Sequence, residues 1–115
     1  MTEKKKYRRV ISYKNYFNDF YSKQTLKVKK KIIWTLLVIE EIERIPKTYL
    51  DHLEGTDGLY ELRIKFSSNI YRIFCFFDKG KLVILANRFQ KKTQKTPRKE
   101  IEKALAIKKE YENEK

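Results

Sequence analysis

The sequence predicts an α+β fold in which a strand and two helices precede a three-stranded antiparallel meander and a C-terminal helix. The first observation is the alternation of apolar and polar side chains over consecutive segments between Gly58 and Phe89, which is typical of half-buried strands. The second is the helical spacing of apolar residues in the stretches on either side of those segments. The third is the length of 115 residues, which predicts one small domain, 1–115, with residues 1–6 frayed.

The part of the chain before the meander is predicted to contain a short strand and two helices. Residues 7–13 alternate in the manner of a strand that pairs with the meander. Aromatic side chains within 15–21 have the spacing of a short amphipathic helix. A longer helix is predicted over about 25–45, before Pro46, and residues 47–53 are predicted to add a short turn. The buried face of the long helix is expected to carry five apolar side chains, with Trp34 and Ile39 toward the borders: Ile32, Ile33, Leu36, Leu37 and Ile42.

The charges of the long helix run against the helix dipole. Lysines crowd its first half and glutamates its second half, whereas the dipole favours the opposite arrangement. One interpretation is that these side chains only solvate an exposed face. The other is that the lysines serve an anionic partner, and Lys27 and Lys30 are then predicted to bind nucleic acid.

The meander is predicted to begin at Gly58. Its first strand places apolar side chains on one face of the sheet and charged side chains on the other: Tyr60, Leu62, Ile64 and Phe66 against Glu61, Arg63 and Lys65. A turn at 67–69 leads to a strand over 70–77, which is so apolar that we place it at the centre of the sheet. A tight hairpin at 78–80 then precedes the third strand, 82–89.

Cations gather where the chain leaves the third strand. Five of them lie within nine residues that contain no acid: Lys91, Lys92, Lys95, Arg98 and Lys99. Thr96 followed by Pro97 has the pattern of an N-cap and a first helical turn, so the C-terminal helix is predicted over 97–111. The basic run is therefore expected at one edge of the sheet.

The composition favours a polyanionic partner. Twenty-eight Lys and Arg against 15 Asp and Glu give a formal net charge of +13, and nucleic acid is the first candidate. Cys75 is the single cysteine and cannot form an internal disulfide, which suits a reducing compartment. The basic N-terminus is not followed by an apolar signal-peptide core, and the apolar run 32–39 is too short for a membrane span. We expect a cytoplasmic protein without a membrane partner.

Several classes of active site are excluded by the residue counts. One histidine and one cysteine cannot form a zinc site, and His52 is interpreted as a surface or capping residue. The three glycines lie at predicted turns, so no phosphate-cradling loop is present. Asp57, Glu61 and Asp78 lie in different predicted elements, which argues against a two-metal nuclease. No metal and no cofactor are expected.

What remains is basic chemistry on one face of the sheet. The candidate side chains come from the strands and from the end of the last strand: Arg63, Lys65, Arg72, Arg88, Lys91 and Lys92. RNA can be cleaved without a metal when the 2′-hydroxyl attacks its own phosphate, because the protein only has to move protons and stabilise the phosphorane. A crowded lysine could accept the proton and arginines could clamp the phosphate. The alternative is that Arg63 and Lys65 merely solvate the sheet.

A family resemblance covers nearly half of the chain, from Gly58 to about Ala106. The segments GLYELR, YRIFCFF, LVILANRF and KKTQKTP, followed by EIEKA, resemble the C-terminal half of the HigB-type toxins of the RelE/ParE superfamily, particularly the phage-derived branch. The resemblance implies a RelE-like fold and a toxin of a type II toxin–antitoxin system. It also implies an endoribonuclease that cleaves mRNA in the decoding site of the small ribosomal subunit, and a helix-turn-helix antitoxin as its partner.

The resemblance also implies the site residues. Arg63 occupies a basic position of the family's second-strand motif, and Arg72 stands in the Tyr-Arg position of the next strand. Lys91 and Lys92 match the basic pair after the last strand. These four are the predicted catalytic residues. Five further cations are predicted to contact RNA: Lys65, Arg88, Lys95, Lys27 and Lys30. An acidic antitoxin segment is expected to lie across this surface, while a folded part of the antitoxin binds operator DNA.

Two other functions remain open from the sequence. The ParE branch of the same superfamily would imply a non-enzymatic inhibitor of gyrase. A basic RNA-binding module without catalysis is the third interpretation, since Phe74 and Phe76 share the predicted face of Arg72 and could stack on bases. Cuts in cellular mRNA after induction are expected only from the endonuclease.

Overall fold

The computed structural model of the chain describes residues 5–85 and 97–114. Within them, three helices and a five-stranded sheet follow one another along the chain. Their bounds are β1 Arg9–Ser12, α1 Tyr16–Ser22, α2 Leu26–Glu41, β2 Leu50–His52, β3 Tyr60–Phe66, β4 Asn69–Asp78, β5 Lys81–Leu85 and α3 Arg98–Asn113. The strand order is β1-β5-β4-β3-β2, and the predicted α+β class is confirmed.

The sheet is built around the predicted meander. Strands β3, β4 and β5 pair antiparallel, and the N-terminal strand β1 pairs parallel with β5, with Val10 opposite Leu82. The fifth strand, β2, pairs antiparallel with β3 through Leu50 and Leu62. The short turn predicted within 47–53 is present at 47–49, but the strand that follows it was not predicted. A strand of three residues is too short for its alternation to be visible, and only the pairing with β3 defines it.

Two-residue turns set the register of the meander. Lys79 and Gly80 join β4 to β5, and both have positive φ, 48° and 81°. This combination is that of a type I′ turn, whose twist matches the twist of the paired strands. Ser67, with φ of 58°, lies in the other two-residue connection, between β3 and β4. The turns place Arg63 directly opposite Arg72 across the two strands.

Helices cover both faces of the sheet. One core lies between the sheet and the helices α1 and α2: Phe17, Phe20, Val28, Ile32, Ile39, Leu50, Leu62, Ile64, Ile73, Cys75, Leu82 and Ile84. The other lies between the sheet and α3: Tyr13, Leu59, Phe74, Phe76, Val83 and Ala104. Alternate residues of β4 thus enter opposite cores, as the period of two predicts. The charged side chains of β3 share the face that α3 partly covers.

The buried face of α2 differs from the predicted one. Ile33 and Leu37 are 41% and 46% exposed, whereas Ile39, placed at the border, is 1% exposed. The stripe that faces the sheet consists of Val28, Ile32, Thr35 and Ile39. Thr35 can be buried there because its hydroxyl donates to the Lys31 carbonyl oxygen at 2.7 Å. Thr35 is polar and lies at the centre of the face that packs on the sheet. The spacing of apolar residues therefore predicted a buried face that is rotated about the helix axis relative to the observed one.

The end of α2 is also earlier than predicted. The helix stops at Glu41, four residues before the expected boundary, and Ile42 is its C-cap. The guanidinium group of Arg8 donates hydrogen bonds to the carbonyl oxygens of Ile39, Ile42 and Glu43. A cation at this position satisfies carbonyls that have no partner within the helix and interacts favourably with the dipole. The residue before the N-terminal strand therefore helps to define the end of a helix that the sequence alone extends to Pro46.

The rotated face of α2 gives a matched pair of neighbouring isoleucines. Ile32 is fully buried and Ile33 is 41% exposed. We expect Ile32→Ala to lower the free energy of unfolding by about 2–5 kcal/mol through the lost contacts and the cavity left behind. We expect Ile33→Ala to lower it by no more than about 1 kcal/mol. Urea denaturation followed by circular dichroism measures both, and equal losses would contradict the observed orientation of α2.

The remaining boundaries agree with the predictions or lie outside the described residues. Helix α3 begins at Arg98 with Pro97 as its N-cap, one position later than predicted, while Thr96 lies outside. The part of the third strand beyond Leu85 also lies outside, as do residues 1–4 of the N-terminal segment. Lys6, predicted to be frayed, forms an ion pair with Glu40 at 3.0 Å. No helix in the described part of the chain is long and apolar enough to cross a membrane.

Candidate nucleic-acid interface

Two arginines lie side by side on adjacent central strands. Arg63 of β3 and Arg72 of β4 are direct cross-strand partners on the face of the sheet toward α3. Like charges in this position repel one another, so the pair needs compensation. Glu61 is the next residue of β3 on the same face and lies diagonally across from Arg72. The alternation of β3 therefore places one carboxylate beside two guanidinium groups.

Two carboxylates hold the arginines. The Nη1 of Arg72 and the Nε of Arg63 both donate to Oε1 of Glu61, the latter at 3.3 Å. The Nη2 of Arg63 also donates to Oδ2 of Asp51 on β2, at 3.3 Å. Lys47 approaches the other oxygen of Asp51, at 3.9 Å. Glu61 thus orients both guanidinium groups, and β2 adds a second acid to the outer arginine only.

The two arginines differ in their access to solvent. Arg72 and Glu61 are buried, with 8% and 1% of their side chains exposed, whereas one third of the Arg63 side chain is exposed. A buried charge is tolerated only when it is paired. Within residues 5–85 and 97–114, the Nε of Arg72 has no hydrogen-bond acceptor. Arg72 is therefore largely enclosed by the fold, and Arg63 is the more accessible of the two arginines.

A cleft of about 590 Å³ opens beside these arginines. Its walls come from α2, from the segment before β2 and from the ends of β3 and β4: Lys31, Thr35, Thr48, Tyr49, Arg63, Ile64, Lys65, Ile70 and Arg72. Among the residues that the structure describes, the lining of the cleft includes four cations and no acid. The cleft can therefore attract the phosphate groups of a nucleic acid.

The shortness of β2 creates the cleft. This strand pairs with β3 only over three residues, and the Arg63 N–H donates to the Tyr49 carbonyl oxygen at 2.8 Å just before it. Beyond that bond, Lys65 continues β3 as an exposed residue of the cleft wall. Helix α2 passes on the other side and adds Lys31. Helix α2 and the strands β3 and β4 thus contribute cations to one concave surface.

The structure brings together three of the predicted site residues: Arg63, Lys65 and Arg72. Lys27 and Lys30 lie on α2 and do not line the cleft. The other four predicted cations, Arg88, Lys91, Lys92 and Lys95, lie outside the described residues. The roles assigned to all nine residues remain predictions. Three of the nine line the same cleft.

Three residues near this surface were not predicted from the sequence. Lys31 lines the cleft, whereas its neighbour Lys30 was the predicted RNA contact. The hydrophobic pattern did not reveal how α2 is rotated about its axis. Asp51 was missed because β2 was interpreted as a turn. Tyr49 was missed for the same reason, since the residues before β2 had no predicted strand to lie beside. The sequence signal that was available is the run Thr48, Tyr49, Leu50, which has a strand-like composition.

Neither base stacking by the two phenylalanines nor nucleophilic attack by the cysteine finds support in the described geometry. Phe74 and Phe76 are each 2% exposed and belong to the core under α3, so they offer no stacking surface. Burial, and secondly the negative charge of Glu61, raise the pKa of the Cys75 thiol, which therefore stays protonated and poorly nucleophilic at neutral pH. His52 is exposed on β2 and packs edge-on against Tyr60, as its surface interpretation predicts.

Carboxylates and other metal-binding side chains do not cluster in this part of the molecule. Among residues 5–85 and 97–114, there is no group of three or more His, Cys, Asp or Glu that could hold a metal ion. The carboxylate oxygens of Glu61 and Asp51 instead accept hydrogen bonds from arginine side chains. The described arrangement can bind and orient a phosphate group through guanidinium and ammonium donors.

Comparison with known proteins supports the phage-derived, toxin-like part of the resemblance. The family model described as "Phage derived protein Gp49-like" matches residues 19–109, which is more than half of the chain. A search of curated proteins found no significant match, and a search of solved structures found none either. The matched span contains α2, the meander and most of α3, and therefore every element that lines the cleft. The chain belongs to the phage-derived Gp49-like family, a toxin-like family of the RelE/HigB type that implies an antitoxin partner.

Proposed function

We propose that this chain is the toxin of a type II toxin–antitoxin system and that it cleaves mRNA on the ribosome without a metal ion. The observation that carries the proposal is the cleft of about 590 Å³, whose four cations include a partly exposed arginine that carboxylates hold in place. Membership in a toxin-like family supports the biological role. The cleft supports the class of substrate, because its positive charge suits a phosphodiester.

The proposed reaction is an internal displacement at one phosphate. The 2′-oxygen forms a bond to phosphorus and gives its proton to a base, while the bond from phosphorus to the 5′-oxygen breaks and that oxygen takes up a proton. The products are a 2′,3′-cyclic phosphate and a 5′-hydroxyl. Charge that develops on the phosphorane oxygens must be stabilised, and preorganised donors do this effectively. Arg63 is assigned to this role because it is the more exposed of the paired arginines.

The other residues of the site support this arginine. Arg72 is assigned a positioning role, since it is buried and shares Oε1 of Glu61 with Arg63. Lys31 and Lys65 are assigned to flanking phosphates because both line the cleft. Asp51 is our candidate for the proton acceptor, since its side chain is 21% exposed and lies 3.3 Å from the Arg63 guanidinium.

The ribosome is assigned the task of placing the substrate. Holding reactants in a near-attack geometry can supply a large part of the barrier reduction, so a sparse set of protein residues can be sufficient. Four predicted cations, Arg88, Lys91, Lys92 and Lys95, remain candidates for mRNA contacts, with Lys91 and Lys92 as predicted catalytic residues. Lys27 and Lys30 remain candidates for RNA contacts away from the cleft, because they lie on α2 and do not line it.

The proposed protein partner is a helix-turn-helix antitoxin. An acidic segment of the antitoxin would lie across the basic surface, and its folded part would bind operator DNA, so that the toxin reaches DNA only through its partner. The formal net charge of +13 supports this assignment. Such a complex is expected to lose affinity as salt concentration rises, because surface charges are increasingly screened.

The chemistry of the cleaved ends tests the proposal. After induced expression, new RNA 5′ ends are expected at codon positions, and they should carry hydroxyl groups and not phosphates. The upstream fragments should end in 2′,3′-cyclic phosphates. In a purified translation system, the same cuts should need ribosomes that carry the mRNA. The absence of new mRNA ends, together with accumulated gyrase–DNA cleavage complexes, would contradict the proposal and favour the gyrase inhibitor.

A further inference from the structure

An exposed tyrosine forms part of the wall of the basic cleft. Tyr49 is 41% exposed and lines the cleft together with Arg63 and the neighbouring Thr48. Within residues 5–85 and 97–114, Tyr49 is the only aromatic residue that lines it. The cleft therefore combines cations with one accessible ring.

The backbone of Tyr49 is anchored at both of its polar groups. Its N–H donates to the Pro46 carbonyl oxygen at 2.9 Å, and its carbonyl oxygen accepts from the Arg63 N–H at 2.8 Å. The second bond ties the tyrosine directly to the strand that carries the outer arginine. Large side chains on a fixed backbone lose little freedom on binding, which makes them effective contact surfaces. The position of the Tyr49 backbone relative to Arg63 is thus a property of the fold.

Other exposed aromatic side chains do not share this setting. Tyr7, Trp34 and Phe77 are 41%, 52% and 43% exposed, and none of them lines the cleft. Tyr7 has the same exposed fraction as Tyr49 and lies near a lysine, with Lys5 Nζ at 4.9 Å from its ring centroid. Tyr7 is therefore a close control for a generic effect of an aromatic beside a cation.

Proteins that bind single-stranded nucleic acid combine a positive groove with aromatic side chains on which bases stack. Each stacked base contributes about 1–3 kcal/mol, and the contribution depends little on base identity. The cleft has both parts, since Lys31 and Lys65 accompany Arg63 and the ring of Tyr49. Thr35 and Thr48 add hydroxyl groups to the same wall, and threonine hydroxyls commonly contact nucleic acids.

We propose that Tyr49 is the platform on which one base of single-stranded RNA stacks, next to the phosphate that Arg63 contacts. The proposal deepens the proposed function, because it assigns the base-binding part of the same cleft. It needs only that the cleft holds RNA, so it does not depend on whether the RNA is cut. Tyr49 is accordingly a positioning residue, and the phosphate donors remain separate from it.

The test is a binding titration with a short single-stranded RNA that carries 2-aminopurine. Wild type, Tyr49→Phe, Tyr49→Ala and the control Tyr7→Ala are compared over a series of salt concentrations. Tyr49→Ala is expected to weaken binding about 5- to 150-fold and to abolish the quenching of 2-aminopurine fluorescence that stacking causes. Tyr49→Phe and Tyr7→Ala are expected to bind and quench like wild type.

The salt series separates stacking from charge. Tyr49→Ala should leave the slope of log affinity against log salt unchanged, whereas Lys65→Ala should reduce it by about 0.7. Wild-type affinity and quenching in folded Tyr49→Ala would overturn the proposal, as would equal losses in Tyr49→Phe or Tyr7→Ala. Retained stacking in a protein that makes no cuts on the ribosome would refute the endonuclease and leave the base platform intact.

Discussion

Replacing Glu61 with alanine is expected to lower the free energy of unfolding by about 3–5 kcal/mol, because a buried charge loses its partner. Glu61 is 1% exposed and pairs with the buried Arg72, whose side chain is only 8% exposed. Removing the carboxylate leaves an unpaired guanidinium inside the fold, and its Nε already lacks an acceptor within the described residues. Urea denaturation at neutral pH measures the loss, which in a small domain is a large part of the total stability.

Two further variants make this expectation specific. Asp51→Ala removes the other carboxylate of the network, but from a pair that is partly exposed to solvent, so we expect it to cost no more than about 1 kcal/mol. The double variant Glu61→Leu with Arg72→Met removes both buried charges and is expected to recover most of the lost stability. If the double variant were as unstable as Glu61→Ala, burial of an unpaired charge would not be the cause.

The second large effect is expected on activity. Arg63→Ala should slow cleavage of ribosome-bound mRNA by about 10²–10³-fold, because a preorganised donor to the developing phosphorane charge is lost. The stability of this variant should change little, since one third of the side chain is exposed and its ion pairs are partly solvated. Single-turnover rates on a defined ribosome complex measure the effect, and the ribosome affinity of the variant should remain near that of wild type.

Charge alone should not explain the effect of Arg63. Lys103→Ala removes one cation from the exposed surface of α3 and should leave the cleavage rate unchanged. Arg63→Lys keeps the charge but loses the planar fork, so its rate should fall between those of wild type and Arg63→Ala. A wild-type rate in Arg63→Ala would show that the assigned phosphate donor is wrong, whereas a slow Lys103→Ala would point to a general effect of net charge.

The meander could be predicted because its signals are local. Alternation along β3 and β4 is visible in the sequence, and two-residue turns fix which residues face each other. For this reason the alternation alone was sufficient to assign Arg63, Lys65 and Arg72 to one face. The helices α1 and α3 were predicted within a few residues, since their apolar spacing and flanking residues also lie within short windows.

The rest of the candidate site depends on contacts between distant segments. Asp51 reaches Arg63 only because β2 joins the edge of β3, and a three-residue strand carries too little pattern to reveal this. Lys31 lines the cleft because α2 turns Thr35 and not Ile33 toward the sheet. The burial of Glu61 is likewise invisible in a strand whose charged face is predicted to meet water.

The sequence by itself determined the fold class, the antiparallel meander, the basic character of the chain and the common face of three cations. These properties follow from composition and from patterns within a few residues, which backbone geometry converts directly into local structure. Only the tertiary structure decided that Glu61 is buried between the arginines and that Lys31 and Tyr49 meet them across a cleft. Packing sets the rotation of a helix and the pairing of a short edge strand, and packing is a property of the whole chain.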